Sequence, residues 1–143
     1  MQPAEREAGV QPDGMRRRKG QEPYSLNKRA VGTAYERQAG AFLSEQGYEI
    51  LQYNYRCAQG EIDIIAREGG YLVFVEVKYR RDPGSGAPAE AVNQKKQRAI
   101  SRTALYYCLS HGYGETTPCR FDVVAALGDG MRVIKNAFEY TGA

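Results

Sequence analysis

The sequence predicts an α/β protein whose mixed central sheet is flanked by helices in the order α-β-β-β-α-β, with one further strand at the end. Three observations predict it. Two runs of strand character, residues 60–68 and 71–79, meet at Gly69-Gly70, where a two-residue loop needs the positive φ that glycine adopts without steric strain. A helical pattern with a capping-box start precedes the strands. A strand, helix, strand succession then runs from 71 to 127, and a crossover of that length joins parallel neighbours in one sheet.

Composition sets the frame for this reading. A chain of 143 residues, 26% charged and 42% hydrophobic, has room for one domain with a genuine core. No apolar run approaches the ~18 residues of a membrane helix, and the first residues lack the apolar segment of a secretory signal. A cytoplasmic protein without a membrane partner is expected. Cys57, Cys108 and Cys119 are odd in number, far apart in sequence and without CxxC spacing, so they are expected to be reduced packing thiols. The net charge of +3 favours anionic partners only weakly.

Taken in order, residues 1–27 are rich in Gln, Glu, Pro, Gly and Arg and too poor in apolar residues to form a face. They predict a disordered basic tail, with the folded domain spanning 28–143. Arg16, Arg17, Arg18 and Lys19 within it fit either a solvated tail or a nonspecific phosphate-binding arm. Thr33 to Glu36 then matches a capping box, and Gly47 is placed to stop a helix over residues 34–46. Its inward stripe is Tyr35, Ala39, Phe42 and Leu43. Glu36 stands at the edge of that stripe, where it can either cap the helix or lean toward the sheet.

Residues 48–56 are tyrosine-rich and extended in character, and 58–60 turn into the Gly-Gly hairpin. A two-residue loop fixes the register: Glu68 faces Tyr71, Asp63 faces Glu76 and Glu61 faces Lys78. Period-two alternation puts Val73, Val75 and Val77 on one face and Leu72, Phe74, Glu76 and Lys78 on the other. Residues 80–88 read as a loop, and a long helix is expected over 88–111, with Pro88 in its first turn and Gly112 as the stop. Val92, Ala99, Ile100, Thr103, Tyr106 and Tyr107 share one face of it, with Lys96 in their midst. That lysine either snorkels out of the face or points into the same polar site as Glu76 and Lys78. Lys95, Arg98 and Arg102 cluster on another face, as solvated surface or as a phosphate-tracking stripe. Residues 119–127 and 131–140, separated by a Gly-Asp-Gly turn, complete the strands.

The chemistry concentrates in the hairpin. Directly opposed Cβ atoms in a sheet lie about 4.5 to 5.5 Å apart, so two facing carboxylates repel unless a proton, a cation or a lysine compensates them. Carboxylates on adjacent strands can share a hard divalent cation such as magnesium through oxygen ligands. Lys78, two residues from Glu76 and on the same face, can orient a nucleophilic water or neutralise charge developing on a phosphate. The plain alternative is a surface hairpin with exposed ion pairs worth about 0 to 1 kcal/mol. Against it, the acids are set among Ile62, Ile64, Phe74 and Val75.

The succession Glu36, then Gly60-Glu61-Ile62-Asp63-Ile64-Ile65-Ala66, then Val73-Phe74-Val75-Glu76-Val77-Lys78 closely resembles the YraN-type family of uncharacterised bacterial proteins. The resemblance covers residues 30–140. That family is assigned to the PD-(D/E)XK, restriction-endonuclease-like superfamily and is similar in its core to archaeal Holliday junction resolvases. The resemblance implies a restriction-endonuclease-like core and a metal-dependent nuclease acting on DNA, with branched or structured DNA as one substrate class. It implies catalytic roles for Glu36, Asp63, Glu76 and Lys78, a magnesium or manganese ion held by Glu36, Asp63 and Glu76, and a nucleic-acid contact at Lys96 followed by Gln97. Lys95, Arg98 and Arg102 would extend that contact. Ile62 replaces the proline that leads the superfamily's aspartate, a residue many of its members lack. Resolvase-like relatives work as dimers, so a homodimer is admitted, although nothing in this chain specifies an interface. A noncatalytic nucleic-acid-binding or scaffold protein that keeps the fold is the alternative, and the intact acid and lysine pattern argues against it.

Overall fold

The structure, a computed structural model, describes residues 24–79, 92–128 and 130–141. Helix α1 (Tyr24–Glu45) leads into three antiparallel strands, β1 (Glu49–Cys57), β2 (Gly60–Glu68) and β3 (Tyr71–Tyr79). Helix α2 (Gln94–Ser110) then connects β3 to β4 (Cys119–Leu127), which runs parallel to β3, and β5 (Gly130–Phe138) returns antiparallel to β4. The spatial order of the sheet, β1-β2-β3-β4-β5, follows the chain. The expected α/β class and element order are therefore the observed ones. Among the described residues, no helix is long and apolar enough to cross a membrane.

Helix boundaries differ from expectation at both N-termini. α1 begins at Tyr24, immediately after Pro23 in the sequence, so Thr33 lies inside the helix and forms no capping box with Glu36. Leu26, Lys28, Arg29 and Ala30 are good helix formers, and once a helix has nucleated, adding such residues is favourable. Residues 24–27, given to the tail on composition, are thus helical, while residues 1–23 with the basic run lie outside the described residues. α2 begins at Gln94 with Asn93 as its cap, the Asn93 side chain accepting the Lys96 backbone N–H at 2.8 Å. The expected start at Pro88 and the loop at 80–88 lie outside the described residues. Gly47 ends α1 as expected. Its φ of 98° lets the Tyr48 N–H reach the Leu43 carbonyl at 3.0 Å and its own N–H reach Ser44 at 3.1 Å.

The sheet has a core on each face. On the α1 side, Ala39 and Leu43 pack on Ile64, Ala66, Val73, Val75 and Val124. On the α2 side, Val92, Ile100, Ala104 and Tyr107 pack on Ile62, Ile65, Leu72, Phe74 and Phe121. Both faces of β3 are therefore buried, as a sheet covered by helices on two sides requires. Tyr106, expected on the inward face of α2, is 49% exposed, and Ala104 takes its place in the core. Gly60 opens β2 close against α2 at φ 149°, where a Cβ would lie 3.0 Å from Thr103 Oγ1 and the threonine would have to give way.

A polar network ties β4 to the start of β1. Asp122 is fully buried and accepts from the Tyr48 hydroxyl at 2.6 Å, from Arg120 Nε and Nη2 at 2.9 Å each and from the Asn136 N–H at 2.9 Å. Arg120 also reaches Glu68 at 2.8 Å, and Lys135 holds the other oxygen of Glu68 at 3.1 Å. A buried carboxylate with four donors is satisfied, so this network reads as architecture.

Candidate metal centre

The site forms where the β2–β3 hairpin opens. The ladder has the expected register from Glu68↔Tyr71 to Ile64↔Val75, with Gly69 and Gly70 at φ 59° and 88° in the loop. The next expected pair, Asp63 with Glu76, is not part of the ladder. Asp63 Oδ2 accepts the Val77 N–H at 2.8 Å instead, and the paired register ends there. The expected Glu61 to Lys78 pairing is consequently not formed. Across β1, Glu61 lies opposite Arg56, with an ion pair at 3.6 Å, and Lys78 Nζ lies 3.7 Å from Glu76 Oε2.

A second irregularity on the β1 side aims the aspartate. Tyr53↔Ile64 and Tyr55↔Ile62 are paired, which places Asn54 opposite Asp63. Tyr53 and Ile64 pack toward α1, yet Tyr55 and Ile62 pack toward α2, although two residues along a strand should share a face. Asn54 has φ of 52°, a left-handed conformation that asparagine tolerates better than most side chains, and it sits where the phase of the strand reverses. The reversal falls on the residue pair that contains Asp63.

Two groups of charge meet at this point. Glu36, Glu61 and Asp63 each offer an oxygen within 4.8 Å of the others. Glu36 lies beside Asn54 and Asp63, and its Oε1 is buried without a hydrogen-bond partner. Next to them, Glu76, only 6% exposed, holds Lys96 Nζ at 3.3 Å and Lys78 Nζ at 3.7 Å on one oxygen. Lys96 thus turns into the polar site. Burial, reinforced by the Asp63 charge, pushes the Glu36 carboxyl up to about 8 and that of Glu76 up to about 7, the two lysines opposing the rise at Glu76. Burial also raises Asp63, against the pull of the Val77 N–H. The Glu76 charge holds Lys96 above the ordinary lysine range. Without a cation, then, the cluster keeps protons that free carboxyl groups would have released.

Glu36, Asp63, Glu76, Lys78 and Lys96 are brought together as the sequence suggested. Gln97 is not aimed at the site: its Nε2 donates to the Val92 carbonyl at 2.8 Å and ties down the entry to α2. Lys95, Arg98 and Arg102 are exposed on the outer side of α2. Two participants escaped the sequence reading. Glu61, expected to face Lys78, offers its oxygen beside Glu36 and Asp63 instead. Asn54 carried one signal, an asparagine interrupting an otherwise tyrosine-rich strand.

Fold and site together define an α/β protein with a carboxylate cluster at the splayed end of a central hairpin. The chain belongs to the uncharacterised protein family UPF0102, whose model matches residues 35–126, a span that holds every residue of this cluster. It is 56% identical over 118 residues to a UPF0102 protein of Lachnoclostridium phytofermentans, covering 82% of this chain and 100% of that protein. A UPF0102 protein of Symbiobacterium thermophilum is 50% identical over 115 residues, 77% of this chain and 97% of its own. One from Klebsiella pneumoniae is 44% identical over 109 residues, 76% and 85% of the two chains.

Proposed function

We propose that this protein is a divalent-metal-dependent nuclease of the PD-(D/E)XK, restriction-endonuclease-like superfamily that hydrolyses phosphodiester bonds in DNA, with branched or otherwise structured DNA the first substrate class to test. One observation carries the reading: three carboxylates at one end of the hairpin adjoin a fourth, Glu76, that lies within 3.7 Å of two ammonium groups. A phosphodiester in hydrolysis needs both, oxygen ligands for a cation and positive charge for the phosphate.

The donor set fits a hard divalent ion. Glu36, Glu61 and Asp63 present only carboxylate oxygens, which suit magnesium or manganese, and Glu36 Oε1 is a buried acceptor with no hydrogen-bond partner. An ion held there would screen the phosphate charge and acidify water as a Lewis acid. The chain's own groups do the rest. Val77 fixes the direction of Asp63 through its N–H. Glu36 gives up its proton to become a ligand. Glu76, with its carboxyl near 7, is matched to accept a proton from the attacking water at neutral pH. Lys78 and Lys96 stabilise the negative charge that grows on the phosphate. Lys95, Arg98 and Arg102, exposed on α2, supply salt-sensitive contacts to flanking phosphates.

The test is cleavage of linear and branched DNA by the purified chain with magnesium, with manganese or with EDTA, beside Asp63→Ala and Glu76→Ala. Metal-dependent cleavage that drops by about 100-fold or more in each variant is expected. Cleavage that survives in both variants removes this mechanism. Metal-independent binding without cleavage assigns the chain to the noncatalytic, nucleic-acid-binding alternative.

A further inference from the structure

Away from the carboxylates, the fold joins two cysteines that are eleven residues apart in sequence. Cys108 lies in the last turns of α2 and Cys119 is the first residue of β4, and their sulfurs are 4.0 Å apart. Both ends are anchored. Cys108 is partly buried against the α2-side core, and its carbonyl takes the Tyr113 N–H at 2.9 Å. Cys119 pairs in register with Leu72 on β3, whose N–H holds the Pro118 carbonyl at 2.9 Å. The connection between them is a compact turn, closed by Thr117 N–H to Gly114 at 3.1 Å. A bond would require the sulfurs to close from 4.0 Å to about 2 Å, a displacement within reach of side-chain rotation.

The two thiols are not equivalent. Cys119 is exposed and Cys108 half-buried. Cys119 Sγ also lies 3.6 Å from the Thr117 carbonyl, to which its thiol donates, leaving the Cys108 S–H to donate to Cys119 Sγ. The same contact lowers the Cys119 thiol and raises that of Cys108, the division of labour of an attacking and a resolving pair.

We propose that Cys108 and Cys119 are a thiol–disulfide modification site, closed into an intramolecular disulfide by low-molecular-weight disulfides of the glutathione type and reopened by thiols. The exposed Cys119 thiolate attacks one sulfur of RSSR, breaking its S–S bond and forming a mixed disulfide while RS⁻ leaves as the thiol with the Cys119 proton. Cys108 then loses its proton and attacks Cys119 Sγ, expelling the second RS⁻, which takes that proton. Two cysteines are oxidised, one RSSR is reduced to two RSH, and no other reactant is needed. The closed bond would pin the C-terminal end of α2 to β4, roughly 18 Å along the helix from Lys96. This proposal is independent of the nuclease reading.

The test uses the reduced full chain and oxidised glutathione. An intact mass lower by about 2 Da, a Cys108 to Cys119 cross-linked peptide, a freely alkylated Cys57 and full reversal by dithiothreitol are expected. Cys108→Ser is expected to stop with one glutathione on Cys119, and Cys119→Ser to gain no internal disulfide. In the unsubstituted protein, which needs no variant to fold, iodoacetamide should label Cys119 at least about 10-fold faster than Cys108. An unchanged mass, a stable glutathione adduct on the unsubstituted chain, or a cross-link through Cys57 would overturn the proposal.

Discussion

Val77 gives its backbone N–H to the Asp63 carboxylate at 2.8 Å, in the position where the adjoining ladder closes main chain to main chain. The bond fixes the aspartate and ends the pairing of β2 with β3 in one step. It also makes Asp63 a structural acceptor as well as a candidate ligand, and the two roles separate by substitution. Asp63→Asn keeps an acceptor for Val77 and removes a repulsive charge, whereas Asp63→Ala leaves a part-buried N–H without a partner. In EDTA, the alanine variant is expected to be less stable than the asparagine variant by about 1 kcal/mol in chemical denaturation. Both are expected to lose metal-dependent cleavage.

Proton release from the cluster gives the apo protein a signature in pH. Glu36 and Glu76 titrate at about 8 and about 7 in the fold against 4.5 for an ordinary glutamate. Between those values the folded state binds protons that the unfolded state has lost, so stability is highest below the unfolded value and falls as pH rises through the folded ones. The unfolding free energy in EDTA should therefore decline from about pH 5 to pH 8, by an amount on the order of 1 kcal/mol because Glu36 stays partly solvated. Glu36→Gln should flatten the slope, and millimolar magnesium should restore stability at the alkaline end.

Lys96 and Lys78 hold the Glu76 carboxyl down against burial and the Asp63 charge. Removing one of them lets it rise. Lys96→Met is expected to move the acidic limb of the pH–rate profile to higher pH, a shift that a lost phosphate contact alone would not produce. An unmoved limb with a raised KM would restrict Lys96 to substrate binding.

Glu61 distinguishes the carboxylate group seen in the structure from the ligand set the motif implies. Its oxygen is within 4.8 Å of Glu36 and Asp63 oxygens, whereas Glu76 is occupied by lysines. Glu61→Gln is expected to weaken manganese binding in calorimetry by about 10-fold, a loss of roughly 1.4 kcal/mol. Glu76→Gln is expected to affect turnover more than manganese affinity.

The Asp122 network predicts a fold-level effect without a site-level one. Asp122→Asn removes one of the two carboxylates that hold Arg120 and leaves Glu68, and a loss of about 1.5 to 3 kcal/mol in denaturant unfolding is expected. A variant that still folds at low temperature should bind manganese as the unsubstituted chain does.

Much of this was legible in the residues because it follows from local rules. Gly69-Gly70 fixes a register by turn geometry, Gly47 ends a helix by its positive φ, and the length of the α2 crossover makes β3 and β4 parallel. Glu36, Asp63, Glu76, Lys78 and Lys96 could be grouped because strand and helix periodicity place them toward one region. What stayed hidden breaks those rules. The start of α1 depends on propagation past a locally attractive cap at Thr33. The phase reversal at Asn54 and the side-chain rung at Asp63 are departures from period two, and Glu61 joins the cluster beside them. The nearness of Cys108 and Cys119 is tertiary, set by how α2 lies on the sheet, and spacing in the chain carries no trace of it.

Because the strands lie side by side in the order they are made, a single connection, through α2, has to carry the chain across the sheet between parallel neighbours. The β1–β2–β3 meander closes through short loops, at little entropic cost, while the β3 to β4 pairing must wait for a span of some forty residues to be drawn in. Carboxylates drawn from the meander are thus assembled early, and Lys96 arrives with the late step. In a φ-value series the Gly-Gly hairpin should score high and the α2 to β4 contacts low, so that Asp63 and Glu76 come together with Lys78 before Lys96 adds the second positive charge.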